Sequence, residues 1–253
     1  MRRNRTVDRP LIVHGANPVL ELLRSSHPVT RVHLGPGPRT RELAVAARER
    51  GAPVVQEADR GALARLAGSP HHQGAVAIAP PFRYAALECL LAPERRSALL
   101  LDGLQDPRNL GAIIRTARAV GLGGVVLPQD RSVGVTGVVA VTSAGLVFGL
   151  PVVRVPNLVR AMGGLKDAGY WLVGLAPEAP DRLGDREPPR RIAVALGGEG
   201  EGLRPLVRRA CDFLTSIPMA PGVDSLNVAV AAGIALYALV KPPPRASRVP
   251  AIP

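Results

Sequence analysis

A chain of 253 residues with 47% apolar side chains is long enough for one large domain or two ordinary ones, and too apolar for wholesale disorder. Its formal charge of +12 is carried almost wholly by arginine, with lysine only at Lys166 and Lys241, a balance that points to a polyanion, nucleic acid above all. Aromatics at 3% argue against a binder that stacks bases on rings, and the lone Cys89 and Cys211 offer neither metal-ligand spacing nor a disulfide.

The first elements alternate between helix and strand. "NPVLELLRSS" reads as a helix with Asn17 as cap and Pro18 at its first position. "VTRVHLG" reads as a strand, "RTRELAVAARERG" as a helix closed by Gly51, and "APVVQE" as a strand. "DRGALARLAG" is a short helix between an Asp59 cap and a Gly68 stop, and "GAVAIA" is a strand. Residues 1–80 thus form a small α/β unit, followed by a proline- and charge-rich linker, 81–97, with one short helix. "MRRNRTVDRPLIVHG" at the start lacks the apolar core of a signal peptide, so a reducing cytoplasm is the expected setting.

A longer alternation fills 98–242, with strands at "ALLLDG", "GGVVLP", "PVVRV", "YWLVGLA", "RIAVALG" and "FLTSIP". They are apolar throughout, as expected of an α/β fold with helices on both faces of a parallel sheet. In "DPRNLGAIIRTARAVG", Asn109 takes an N-cap-like position, and Leu110, Ile113, Ile114, Ala117 and Val120 recur at helical spacing. Arg115 lies beside that stripe, and Arg118 reads as a solvated helix-face residue. The run Val228 to Val240 is short of the ~18–20 residues of a membrane span and reads as a buried helix. The tail, 243–253, reads as disordered.

All five histidines fall in the first 72 residues. A Ser-His-Asp hydrolase or a histidine-ligated metal inside the larger unit is therefore excluded, and no metal is expected. "ALGGEGEGL" directly follows a strand, so its glycines allow a tight turn beside a ligand, while Glu199 and Glu201 would repel a phosphate. A ligand with positive charge or ribose hydroxyls suits it, and an ordinary strand-to-helix turn is the plainer alternative. In "IPMAPGVDSLNVAVAAGIALYAL" a strand ends at Ile217, and a long loop leads to Ser225 and Asn227 at the head of a helix. Such loops at the carboxyl ends of parallel strands bind ligands in α/β folds, though plain capping would also explain Ser225 and Asn227.

These three segments resemble, in order and spacing, the three motifs of the SpoU, or TrmH-like, branch of the SPOUT RNA methyltransferases. "HGANPVLELL" and "HHQGAVA" are similar to the opening helix and a strand of the small ribosomal-protein-like RNA-binding domain of RlmB-type 23S rRNA guanosine-2'-O-methyltransferases. The resemblance implies a parallel sheet with a C-terminal deep trefoil knot, an exception to the rule against knots. It also implies S-adenosylmethionine bound in the knot and a homodimer with the site near its interface. Asn109 and Arg115 match the first motif, Gly197 and Glu199 the second, and Ile217, Ser225, Leu226 and Asn227 the third. The resemblance makes Asn109, Arg115, Glu199, Ser225 and Asn227 catalytic. Gly197, Ile217 and Leu226 then hold the cofactor, with Leu196, Gly198, Gly200 and Met219 around them. Two departures stand out: Arg108 where histidine is common, and Leu146-Val147-Phe148 in place of a small, acidic stretch. The implied activity is ribose 2'-O-methylation of RNA, foremost a guanosine of 23S rRNA. The alternatives are tRNA, or a resistance-type methylation of an rRNA adenosine or uridine. An inactive RNA-binding module is disfavoured because the five catalytic positions are intact.

Overall fold

The computed structural model describes residues 9–56 and 59–240, so the expected tail, 243–253, lies outside the described residues. The first described element is a strand that sequence periodicity did not reveal. β1 (Leu11–His14) buries Leu11 and Val13 and turns Ile12 and His14 outward, but four residues are too few for the alternation to stand out. α1 (Ala16–Arg24) starts earlier than expected, with Gly15 at its N-cap and not Asn17. The amide of Ala16 is satisfied from a distance, by Gln73 Oε1 at 3.0 Å. Asn17 Oδ1 instead accepts from Arg39 Nη1.

β2 (Arg31–Leu34), α2 (Thr40–Glu49), β3 (Val54–Gln56), α3 (Arg60–Ala67) and β4 (Ala75–Ala79) come next, as expected. Asp59 caps α3 by accepting from the amides of Gly61 and Ala62 at 2.8 and 3.1 Å, and Gly68 closes it at φ 64°. The four strands form a sheet of order β1-β4-β2-β3, in which only β2 and β3 are parallel.

The stretch after β4 carries α4 (Glu88–Leu91) and is tied to the C-terminal half of the chain. The Ala85 amide donates to Val152 O at 2.8 Å, and the Tyr84 hydroxyl accepts from the Val135 amide at 2.8 Å. Then come β5 (Ser97–Asp102), α5 (Pro107–Ala119), β6 (Val125–Pro128), α6 (Gly137–Thr142), a 3-10 turn (Leu146–Gly149) and β7 (Val152–Val155). α7 (Leu158–Asp167), β8 (Trp171–Leu175), β9 (Ile192–Gly197), α8 (Pro205–Ala210), β10 (Phe213–Thr215) and α9 (Val228–Leu239) complete the order. All six expected strands are present, in a wholly parallel sheet of order β10-β8-β9-β5-β6-β7. β10 ends at Thr215, two residues before Ile217.

Their lack of alternation has a direct cause. On β5, Leu99 and Leu101 pack into the core with Ile113 of α5 and Leu236 of α9, while Ala98 and Leu100 pack with Met162 of α7 and Val207 of α8. Both faces are dry along 98–101, so these positions are apolar without a break, while Ser97 and Asp102 end the strand. Each fully buried leucine contributes about 1.5–3 kcal/mol.

The first sheet does not stand apart from the second. Gly137 starts α6 so close to β1 that a Cβ there would lie 2.3 Å from Ile12 O. One continuous core runs from Leu11 and Val13 to Val139 and Leu236. Phe148, in the stretch that departs from the family pattern, has its ring 5.5 Å from His27 and 6.3 Å from Phe82. An aromatic at that place seals the seam between the sheets, which a small acidic stretch could not do.

Candidate active site

The site is assembled at the carboxyl edge of the parallel sheet. The loop after β9 turns back at once: a Cβ on Gly197 would fall 1.9 Å from the Gly202 carbonyl carbon, and one on Gly198 would fall 2.6 Å from Gly103 O. Gly200 and Gly202 sit at φ 86° and 65°, the left-handed region. The glycines are therefore demanded by the turn itself as well as by any ligand. Asp102, at the end of β5, fastens both ends of this loop. Its carbonyl accepts from the Gly198 amide at 2.8 Å, and its buried carboxylate accepts from the Arg204 amide and Nε at 2.9 and 2.6 Å.

The α5 segment is capped differently from the sequence expectation. Asp106 is the N-cap, accepting from the Arg108 amide at 2.8 Å, and Pro107 takes the first helical position, where its missing N–H costs nothing. Asn109 is thereby a residue of the first turn with its side chain available. Its Nδ2 donates to Glu199 Oε1, and its Oδ1 accepts from Asn227 Nδ2 at 3.2 Å. Asn227 in turn caps α9, accepting from the amides of Ala229 and Val230 at 2.9 and 3.3 Å. A single hydrogen-bonded chain, Glu199–Asn109–Asn227, thus links segments 90 and 118 positions apart.

Behind this chain lies a cavity of about 610 Å³. Leu196, Gly197, Gly198, Gly200, Ile217, Met219 and Leu226 all line it, as do Glu199, Ser225 and Asn227. Arg115 does not. It sits exposed on α5, with no ion pair or hydrogen bond among the described residues. Its helical phase puts it beside the flank on which Thr116 meets Gly233 of α9. Sequence reading missed Leu175–Pro177 and Asp224, which also line the cavity, and the Asp102–Arg204 anchor. The loop after β8 was findable, since it is the carboxyl end of the strand next to β9.

Among the described residues, Glu199 and Asp224 are the charged ones of the lining, which includes no arginine, lysine or histidine. Such a cavity suits a ligand with an apolar body and positive charge, and rejects a phosphate. A larger concavity of about 760 Å³ lies against α1 and α2, but Arg39 there pairs with Glu42, and Arg50 donates to the carbonyls of Ser25 and His27. Among the described residues, no group of three or more acidic, histidine or cysteine side chains is placed to hold a metal, and no helix is long and apolar enough to cross a membrane.

Comparison with known proteins identifies the family. The model of the SpoU rRNA methylase family matches residues 96–237, and that of the RNA 2'-O ribose methyltransferase substrate-binding family matches residues 12–85. A tRNA/rRNA methyltransferase of Mycolicibacterium vanbaalenii, itself uncharacterized, is 40% identical over 94% of this chain and 79% of its own length. The 23S rRNA (guanosine-2'-O-)-methyltransferase RlmB of Nitrosomonas europaea is 45% identical over 73% of this chain and 71% of its own. Among solved structures, the SpoU methyltransferase AviRb of Streptomyces viridochromogenes, in complex with AdoMet, superposes with a TM-score of 0.78 at 27% identity, over 94% of this chain and 91% of that one. An AdoMet-bound rRNA methyltransferase of Sinorhizobium meliloti gives 0.78 at 26% identity, over 91% and 87%.

Proposed function

This chain belongs to the SpoU rRNA methylase family, and on that premise we propose that it methylates a ribose 2'-hydroxyl of RNA, the acceptor being a guanosine of 23S rRNA. S-adenosylmethionine is the cofactor, and the cavity fits it: the apolar lining suits an adenosine, and the two carboxylates suit a cation. The observation that carries the reading is the Glu199–Asn109–Asn227 chain, which ties the first motif segment to the second and third beside a cavity whose described lining carries no cation.

Bound there, the cofactor supplies a methyl carbon made electrophilic by a positive sulfur. The protein's part is alignment and the exclusion of water. Leu196, Gly197, Gly198, Gly200, Ile217, Met219 and Leu226 hold the cofactor, the glycines through backbone groups that no side chain obstructs. Asn109, fixed on both sides, keeps the Glu199 carboxylate at the rim, where it accepts from a hydroxyl or an ammonium. Ser225 and Asn227 orient the acceptor. Arg115 is a poor base, since a guanidinium carries no free lone pair and stays protonated under working conditions. It clamps the phosphate beside the target ribose and stabilises the alkoxide as it forms, the 2'-hydroxyl proton being released to bulk water.

Because Arg115 lies outside the cavity of its own chain, the working unit is a homodimer with the site at its interface. The exposed stripe Val230, Ile234 and Tyr237 on α9, 51%, 40% and 57% exposed, supports that contact. A monomer by light scattering at micromolar concentration refutes it. The reversal at Gly197–Gly202 and the return of α9 across β9 to α5 support a trefoil knot in the C-terminal segment. Residues 1–80 carry RNA affinity, 81–97 connect, and 98–242 carry the cofactor. An rRNA substrate places this work in the cytoplasm. The test is methyl transfer from labelled S-adenosylmethionine to purified 23S rRNA, 16S rRNA and tRNA, with nucleoside analysis of the product. Label in 2'-O-methylguanosine from 23S rRNA is expected. Label only in tRNA, or in methylated adenosine or uridine, overturns the assignment.

A further inference from the structure

The loop joining β6 to α6, residues 129–136, holds a conformation its sequence does not favour. Arg131 has φ 54°, one of three non-glycine residues at positive φ among the described residues. Two have local reasons: Gln73 reaches across to cap α1, and Ala144 precedes Gly145 where α6 ends against Pro18. At Arg131 the reason lies in the neighbouring loop after β5. Glycine adopts this backbone freely and arginine does not.

The surroundings enforce the conformation. Gln105 Nε2 donates to Arg131 O at 2.9 Å, and the Val133 amide donates to Leu104 O at 2.7 Å, so the loop after β6 is stitched to the loop after β5. Ser132, only 4% exposed, turns the next position inward, with its hydroxyl buried and unpaired among the described residues. The Arg131 side chain is left exposed, without an ion pair or side-chain hydrogen bond among the described residues, and adjacent Asp130 does not pair with it. A free guanidinium is thus held out at the carboxyl edge of the sheet.

Its place on that edge is informative. In the order β9-β5-β6, this loop lies two strand spacings, about 10 Å, from the loop after β9 that lines the cavity. Arg108, exposed in the first turn of α5, rises from the strand between them. In the other direction the loop runs straight into α6, which rests on β1 of the first sheet. The loop therefore lies between the cavity and the first sheet, on the path an RNA strand touching both would take.

We propose that Arg131 is a fixed phosphate contact for the incoming RNA, beside the target nucleotide, and that Gln105 is the positioning residue that holds it there. This rests on the reading of the chain as an RNA methyltransferase. The test uses the full chain and purified 23S rRNA as probe, with binding measured over a salt series. S-adenosylmethionine binding by calorimetry and thermal unfolding run alongside. Arg131→Ala is expected to weaken RNA binding about 5–10-fold and to reduce the salt slope by about 1, as loss of one phosphate contact requires. Arg131→Lys keeps the slope, because the charge remains. Arg131→Gly weakens RNA binding like alanine but raises Tm by about 2–4 °C, since it relieves the backbone. Gln105→Ala loses part of the affinity with the charge intact. All four leave cofactor affinity unchanged. If the wild-type chain binds cofactor and RNA but Arg131→Ala keeps full affinity and slope, this inference alone is overturned. A Tm that does not rise in Arg131→Gly overturns the claim of backbone strain. A wild-type chain that binds neither ligand brings down the functional reading, and this inference with it.

Discussion

The two sheets of this molecule solve different problems with different residues. The first, β1-β4-β2-β3, is mixed and short-stranded, and its half of the chain holds every histidine. The second is parallel, dry on both faces and without histidine, and its carboxyl edge carries a cavity whose charged groups are two carboxylates. The histidines therefore belong to the first half, and the acidic cavity belongs to the second. The aromatic seam joins them without mixing their chemistry.

The comparison is broken most severely at Asp102. Its side chain is fully buried at the end of β5 and fastens the glycine loop through Arg204. Removing one partner of a buried pair costs about 3–5 kcal/mol, and Arg204, 39% exposed, retreats partly to water, which favours the lower figure. Asp102→Ala should lower Tm by about 6–12 °C and abolish measurable cofactor binding in calorimetry. Unchanged cofactor affinity would show that the loop does not need its anchor.

Arg115 comes next. Arg115→Ala and Arg115→Lys should each lose at least roughly 100-fold in single-turnover methyl transfer, because lysine cannot reproduce the planar fork. Tm and S-adenosylmethionine affinity should stay close to wild type, since the side chain touches neither core nor cavity. Arg118, which lies against Gly149 by the seam, should cost far less when changed to alanine. Near-normal transfer by Arg115→Ala reduces this arginine to a solvated surface residue.

A smaller effect is expected at Asn227. Asn227→Ala removes the cap of α9, worth about 1 kcal/mol, and should lower Tm by about 2–4 °C. It also frees one side of Asn109, so methyl transfer should fall further than cofactor affinity. Equal losses in both would place Asn227 in cofactor binding alone.

The same contrast explains what the sequence revealed. The six parallel strands were legible because burial on both faces leaves an unbroken apolar run, and α3 was legible because Asp59 and Gly68 bracket it. β1 was not, being four residues long with only one face in the core. Asn17 and Asn109 both misled as caps. The true solutions were Gln73, 57 positions away, and Asp106 ahead of Pro107, which the preference for proline at the first helical position should have indicated. The motifs brought the cavity-lining residues into view, but not the link from Asn109 to Glu199 and Asn227, which only the folded chain creates. That Arg115 stands outside the cavity is likewise a matter of helix phase against α9, invisible without knowing where α9 packs.

The gentlest way to separate the two halves is acid. His14 is held below its ordinary range by burial first, then by the nearby His72, and His27 by burial first, against a hydrogen bond to Pro80 O that pulls the other way. Both are therefore neutral in the folded chain, while in the unfolded chain they take up protons near pH 6.5. Well above pH 6.5 neither state binds the proton and these two histidines contribute no slope. As the pH falls from 6.5 through the lowered folded values, the unfolded chain gains protons that the folded chain refuses, and stability declines. Tm should hold steady from pH 8 to 7 and drop by no more than about 3 °C between pH 6.5 and 5. His14→Gln with His27→Leu should flatten that slope, because an amide and an alkyl group fill the sites without titrating. Cofactor affinity over the same range should not change, since the cavity lining holds no histidine. A cofactor affinity that tracks the histidine titration would mean that the seam transmits the protonation of the first sheet into the second, and that the two halves are not chemically separate.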